Sequence, residues 1–184
     1  MSSTPTGPVR TGPALPSPRT PGRYSVALVC LGNICRSPMA EVALADAVRR
    51  AGLDDQVTLQ SCGTGAWHVG DPMDRRAAAT LVAHGLDPSA HRARHLDPAD
   101  PSWFAHDLLL VMDAANLRDT LALGPDEPDR VRLFRSLDPV GTGADVPDPY
   151  YGGDDGFEEV LGMVRRVSDV LVSALPALLA ERPG

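Results

Sequence analysis

A short apolar run, Tyr24 to Val29, leads directly into the polar turn Cys30-Leu31-Gly32-Asn33-Ile34-Cys35-Arg36-Ser37, and a helix-forming stretch follows from about Pro38 to Ala51. A continuous apolar run of this length fits a strand buried on both faces, which needs a helical layer on each side. The order recurs: strands at Val57 to Ser61, Leu108 to Met112 and Val131 to Phe134 alternate with helices at Asp74 to His84, closed by Gly85, and Ala114 to Leu123. A last helix from about Phe157 to Ala180 places Phe157, Val160, Leu161, Val164, Val167, Leu171, Leu175 and Leu178 on one face, with Pro176 expected to kink it. Ser37 suits the N-cap of the first helix, Pro38 its first position, and Gly52 the residue just past its end. Alternating strands and helices make an α/β fold with a parallel sheet, and ligands on such sheets sit at the carboxyl ends of the strands.

Residues 1–22 hold six prolines, three glycines and seven Ser/Thr, with little to bury, and are expected to form a disordered tail ahead of a domain spanning 23–184. The 184 residues carry 17 cations and 24 acids, for a net charge of -7. The tail contributes Arg10 and Arg19 and no acid, so the domain is more acidic still, and a nucleic-acid partner is not expected. All 17 cations are arginine. A Walker A loop, a pyridoxal phosphate Schiff base and a lysine nucleophile are thereby excluded. Three cysteines, Cys30, Cys35 and Cys62, are too few for a disulfide scaffold and point to a reducing compartment. No run approaches the roughly 20 apolar residues of a membrane span, and no apolar signal segment opens the chain. A cytoplasmic protein without a membrane partner is expected, as a monomer or weak dimer.

The turn from Cys30 to Ser37 carries the chemistry. Gly32 and Asn33 tolerate positive φ and let the loop curl until successive backbone N–H groups converge as an anion-binding nest. The following helix adds its positive end, and Arg36, six residues after Cys30, can close the ring and clamp two phosphoryl oxygens. A cysteine facing a helix N-terminus and an arginine is a nucleophilic thiolate. Taken singly, Cys30 reads as a small buried hydrophobe, Arg36 as a surface charge and Ser37 as a cap. Together on one strand-to-helix turn they form a phosphate site with a nucleophile in it.

The run Val29 to Pro38 resembles the phosphate-binding loop of the low molecular weight protein tyrosine phosphatases. The likeness extends over Arg23 to about Ala180, through Ser61, the segment Gly63 to Gly70, His91 to Arg94, Met112 to Leu117 and Asp148 to Gly152. It implies a flavodoxin-like three-layer sandwich with a four-stranded parallel sheet, no metal or organic cofactor, and tyrosine-phosphorylated proteins as substrates. Of six Asp-Pro pairs, at Asp71, Asp87, Asp97, Asp100, Asp138 and Asp148, most read as turn punctuation. Asp148 is followed at once by aromatic residues and matches the family's general acid. The resemblance further implies pocket walls from Trp67, Tyr150 and Tyr151, and support of the loop residues Leu31, Gly32, Asn33, Ile34 and Cys35 by Ser37, Ser61 and His91. Cys35 stands close enough on the curled loop for a reversible disulfide with Cys30.

The implied reaction is phosphotyrosine hydrolysis through a phosphocysteine, with Cys30, Arg36 and Asp148 as its catalytic residues. Alternatives on the same fold are an arsenate reductase, which would need further relay cysteines where only Cys62 remains, and a protein arginine phosphatase, which carries threonine where this chain has Ile34. A non-catalytic phosphopeptide-binding module is a third, but a binder needs no acid. His68, His84, His95 and His106 show no metal-ligand spacing.

Overall fold

The computed structural model describes residues 14–141 and 143–181. Four parallel strands, β1 (Tyr24–Cys30), β2 (Val57–Gly63), β3 (Leu108–Val111) and β4 (Val131–Leu133), form one sheet in the order β2-β1-β3-β4. Helices α1 (Arg36–Arg50), α2 (Arg75–Ala83), α3 (Ala114–Leu121) and α4 (Asp155–Leu179) complete the alternation expected from the sequence. Successive strand residues point to opposite faces. Val26, Leu28, Leu108 and Leu110 therefore enter one core with α1 and α4, while Ala27, Val29, Leu109 and Val111 enter a second with Cys62, Leu96 and Trp103. Burial on both faces is why these strands read as unbroken apolar runs, and it gives the expected three layers.

The α4 stripe is buried at all eight apolar positions. At ~1.5–3 kcal/mol for each large side chain taken out of water, this stripe is a principal stabilising contact of the domain. The helix continues through Pro176 to Leu179. β2 extends two residues past Ser61, to Gly63. α1 begins at Arg36, two residues before the expected start, with Cys35 at the N-cap position and no side-chain cap. Ser37 is therefore not the cap. It lies inside the first turn, buried, with its hydroxyl turned to the loop.

The segment expected to be disordered up to residue 22 departs from that expectation in its second half; residues 1–13 lie outside the described residues. Residues 14–22 lie against the domain, because the domain supplies donors for their backbone carbonyls. Arg132 donates to the carbonyl of Ala14 (2.8 Å), the Tyr24 hydroxyl to that of Pro16 (3.0 Å), and Arg130 to that of Ser17 (3.0 Å). The Arg19 amide donates to Asp107, whose other oxygen accepts from the amide and hydroxyl of Ser25 at the start of β1. Among the described residues, no helix is long and apolar enough to cross a membrane.

This strap crosses the amino ends of β1, β3 and β4, opposite the turn that carries the chemistry. A chain beginning at Arg23 is expected to lose about 1–3 kcal/mol of stability in urea unfolding, because the buried Tyr24 hydroxyl and Asp107 lose partners. Its turnover number is expected to be unchanged. A shortened chain with an unaltered unfolding midpoint would show that the strap contributes nothing.

Candidate active site

The turn between β1 and α1 is shaped by what holds its carbonyls. Those of Cys30 and Leu31 accept from the amides of Thr64 and Gly65 (both 2.9 Å), beyond the end of β2. That of Asn33 meets His91 Nε2 (2.8 Å), and that of Ile34 accepts from the Asp74 amide (2.8 Å), which opens α2. In a trans peptide the N–H points opposite to the C=O. Four carbonyls tied outward thus turn the amides of Leu31, Gly32, Ile34 and Cys35 inward, toward the space above Cys30. β2 can approach this closely only because its last residue is Gly63, where a Cβ would stand 2.5 Å from the Leu31 carbonyl oxygen.

Asn33 has a φ of 55°, a left-handed conformation that is strained for a residue with a side chain. Its fully buried side chain offsets the strain. Nδ2 donates to the hydroxyls of Ser37 (2.8 Å) and Ser61 (2.9 Å), and Oδ1 accepts from the Arg94 amide (2.8 Å). Ser61 in turn donates to Glu41, which is paired with the Arg94 guanidinium (3.1 Å). Ser37 Oγ, already accepting from Asn33, stands 3.0 Å from Cys30 Sγ, and the Asn33 amide donates to the same sulfur (3.3 Å). The serine proton is left to point at the sulfur or at the Cys62 carbonyl (3.3 Å). Two groups thus converge on the Cys30 sulfur. Burial pushes the thiols of Cys35 and Cys62 well above their ordinary range.

Arg36 is 3% exposed, and its Nη1 is fully committed to Asp113 (2.7 Å) and the Val146 carbonyl (3.0 Å). Burial works against its charge, but Cys30, Asp113 and Asp148 outweigh that and hold the guanidinium protonated. Asp148 Oδ2 stands 3.5 Å from Nη2, while its Oδ1 accepts from the Tyr150 amide (3.1 Å). A cavity of about 310 Å³ opens above Cys30 and Arg36, walled by Trp67, His68, Asp148, Tyr150 and Tyr151. Trp67 is 73% exposed but its ring packs against Gly65, where a Cβ would overlap it. Tyr151 is 90% exposed and meets Tyr150 edge-on, with ring centroids 4.9 Å apart.

Every residue expected at the site from sequence is therefore gathered here. Four more belong with them. Glu41 and the Arg94 amide support Asn33 from α1 and from the loop after α2, Asp113 orients Arg36, and His68 adds a wall, with its ring 3.1 Å from the place of a Cβ on Gly32. Asp113 carried a readable signal as the N-cap of α3, and its Oδ1 does accept from Asn116 (2.7 Å), but nothing local marks the reach of Oδ2 to Arg36. A larger cavity, about 820 Å³, lies behind α1 against Glu41, His91 and Arg94, away from Cys30. Among the described residues no group of His, Cys, Asp and Glu is placed to hold a metal ion.

Asn33→Ala is expected to cost about 2–4 kcal/mol in unfolding, since it loses three buried hydrogen bonds and keeps the unfavourable φ. Asn33→Gly, which relieves the φ, should cost less, and both should depress turnover. Equal stabilities for the two variants would show that the backbone conformation carries no strain. The pH dependence follows from His91. Burial holds its ring below the ordinary 6.5, so in the fold it is neutral and donates Nε2–H to Asn33. Below about pH 6.5 the unfolded chain binds a proton that the folded one refuses, and stability falls as pH falls. His106, also held low by burial, adds to the same slope. His91→Gln is expected to flatten part of the decline in unfolding midpoint between pH 6.5 and 5, and an unchanged slope would refute the assignment.

Residues 25–180 match the family model described as low molecular weight phosphotyrosine protein phosphatase. The chain is 49% identical over 159 residues to a low molecular weight protein-tyrosine-phosphatase of Streptomyces coelicolor, covering 83% of this chain and 93% of that one. It is 48% identical over 155 residues to low molecular weight protein-tyrosine phosphatase A of Mycobacterium tuberculosis, covering 83% and 88%. Among solved structures, a protein tyrosine phosphatase from Entamoeba histolytica superposes with a TM-score of 0.77 at 28% identity, covering 84% of this chain and 97% of that one. YfkJ from Bacillus subtilis superposes with a TM-score of 0.76 at 31% identity, covering 84% and 96%. A curled loop with its amides turned on one thiol, and a likeness running nearly the whole length of these relatives, lead to one conclusion: the chain belongs to the low molecular weight phosphotyrosine protein phosphatase family and hydrolyses phosphotyrosine in proteins.

Proposed function

We propose that hydrolysis proceeds in two displacements at phosphorus through a phosphocysteine on Cys30. The observation that carries this is the convergence on one sulfur of the Ser37 hydroxyl and the Asn33 amide, at the mouth of a cradle whose inward amides match the equatorial oxygens of a phosphoryl group. The Cys30 thiolate attacks in line, the P–O bond to the phenol breaks, and Asp148 passes its proton to the departing oxygen. Asp148 then takes a proton from water, whose oxygen attacks phosphorus. The S–P bond breaks, and inorganic phosphate and the Cys30 thiolate are released. Donation from Ser37 to the thiolate makes sulfur the better leaving group in this second step.

The Nε and Nη2 edge of Arg36 holds two phosphoryl oxygens through both steps, while Asp113 and the Val146 carbonyl keep that edge oriented. Asp148 Oδ2 stands beside Nη2 (3.5 Å). A bound phosphate dianion takes over the arginine, which frees Oδ2 to carry a proton toward the leaving oxygen. Ile34 among the lining residues favours the tyrosine substrate over phosphoarginine by presenting an apolar face, and the aromatic walls suit a phenyl ring. The cysteine pair Cys30 and Cys35 is unbonded in the structure, and we assign it a reversible protective disulfide under oxidation. Three unbonded thiols fit a reducing, cytoplasmic setting.

Turnover of a phosphotyrosine peptide in EDTA tests the mechanism. Cys30→Ser is expected to abolish it. Asp148→Asn is expected to lower kcat by about 10²–10⁴, with the larger losses for substrates whose phenol leaves poorly. A phosphocysteine trapped by acid quench and located on Cys30 by mass spectrometry completes the case. Full activity in Cys30→Ser would remove it, and a phosphoarginine peptide turned over faster than the phosphotyrosine one would reassign the substrate.

A further inference from the structure

Arg76 is a cation that the mechanism does not use. It lies in the first turn of α2 and does not line the cavity above Cys30. Its Nε and Nη2 grip the two oxygens of Asp74 (both 3.1 Å) in a two-pronged pair. The guanidinium carbon stands 4.9 Å from the ring centre of Phe157 and 5.5 Å from that of Tyr150. Both distances lie within the range at which a cation is attracted to an aromatic face. Each of the three partners has a second attachment. The Asp74 amide holds the Ile34 carbonyl of the phosphate loop (2.8 Å). Phe157 is fully buried at the start of α4. The Tyr150 amide holds Asp148 Oδ1 (3.1 Å).

We propose that Arg76 is a positioning residue that fixes the Tyr150 wall, and with it the Asp148 carboxyl, relative to the phosphate loop. The chain of interactions runs from Ile34 through Asp74 and Arg76 to the Tyr150 ring, and from the Tyr150 amide to the proposed acid. Without Arg76, the described ring partner left to Tyr150 is the edge of Tyr151, which is itself 90% exposed and cannot anchor it. Phe157 is the fixed floor beneath the guanidinium, and Asp74 sets the plane in which it lies. A planar, two-pronged group is needed for both tasks, and a lysine ammonium cannot do both. Because Tyr150 is at once a wall for the phenyl ring and a backbone donor to the acid, loosening it degrades the fit of an aryl group and the delivery of the proton together. The inference rests on Asp148 as general acid and goes beyond it in naming what holds that acid in register.

The experiment measures kcat/KM in the full chain for a phosphotyrosine peptide and for a series of aryl phosphates of increasing phenol pKa, in Arg76→Met, Arg76→Lys, Tyr150→Leu and the Arg76→Met/Tyr150→Leu pair. Arg76→Met is expected to lower kcat/KM for the peptide about 5- to 30-fold, as befits removal of a cation–aromatic attraction from a partly desolvated site. It should also steepen the dependence on leaving-group pKa, which a merely structural defect would not do. Arg76→Lys should fall between Arg76→Met and the parent. In the Tyr150→Leu background the arginine substitution should cost nothing further, because the two residues act as one unit. An Arg76→Met variant within two-fold of the parent, an unchanged leaving-group dependence, or the same loss with and without Tyr150 would overturn the proposal. Should Arg76→Met melt below the assay temperature, Arg76→Lys in both backgrounds decides by the same criterion. A parent that turns over aryl phosphates but depends on Asp148 no more for poor leaving groups than for good ones would fail the acid assignment instead.

Discussion

The left-handed backbone at Asn33 is the constraint on which the site depends. A loop that curls tightly enough to aim consecutive amides at one point has to reverse its hand somewhere, and here it does so at a residue that carries a side chain. Glycine would relieve the strain but would leave Ser37, Ser61 and the Arg94 amide without a common partner. Asparagine at φ 55° costs backbone energy and returns three buried hydrogen bonds. Its amide group also gives the network a direction. Nδ2 can only donate, so both serine hydroxyls must accept from it, and their own protons are sent onward, that of Ser61 to Glu41 and that of Ser37 toward Cys30 or the Cys62 carbonyl. The strained residue and the hydrogen bonding of the Cys30 sulfur are thus one arrangement.

Electrostatics is organised at the same short range. The chain carries -7 overall, yet the proposed phosphate site is locally cationic, because Arg36 and the inward amides act within a few ångströms while the surface acids are screened by solvent. Arg36 commits one nitrogen to Asp113 and Val146, so its charge is oriented as well as supplied. Asp138 shows the complementary use of charge away from the site. Fully buried, it is held at about 2 chiefly by Arg166 of α4, and it also pairs with Arg135. It therefore clamps the last helix to the segment that leads toward Asp148.

How much of this was legible in the sequence depends on whether the determinants are contiguous. β1, the phosphate loop and α1 form one peptide, and Cys30, Asn33, Arg36 and Ser37 could be read from it directly, although Ser37 exchanges a capping role for a buried hydrogen bond to the thiol. The α4 stripe was legible because a buried helix face must repeat every three to four residues. Glu41 and the Arg94 amide were not, because the glutamate acquires its meaning only through Ser61 on β2, and the backbone N–H of Arg94 only from a strained asparagine 61 residues away. The ordering of segment 14–22 is hidden from composition for a related reason. Composition counts what a segment's own side chains can bury, whereas this one is held by its carbonyls of Ala14, Pro16 and Ser17, through donors on Arg132, Tyr24 and Arg130.

The six Asp-Pro pairs show where local reading stops. Asp87, Asp97, Asp100, Asp138 and Asp148 each accept from the amide two residues ahead, so the proposed acid sits in the same turn as four aspartates without its role. That turn occupies one carboxylate oxygen and leaves the second to its surroundings. At Asp97 and Asp100 the turn is at the exposed surface. At Asp138 the arginines Arg135 and Arg166 grip the carboxylate. Only at Asp148 does the second oxygen face Arg36 across a cavity walled by aromatic rings. An ordinary turn takes on the proposed acid's place when the fold sets it opposite the strand end that carries Cys30. What separates Asp148 from its look-alikes is therefore the parallel sheet, which brings the end of β1 and the segment after β4 to the same edge.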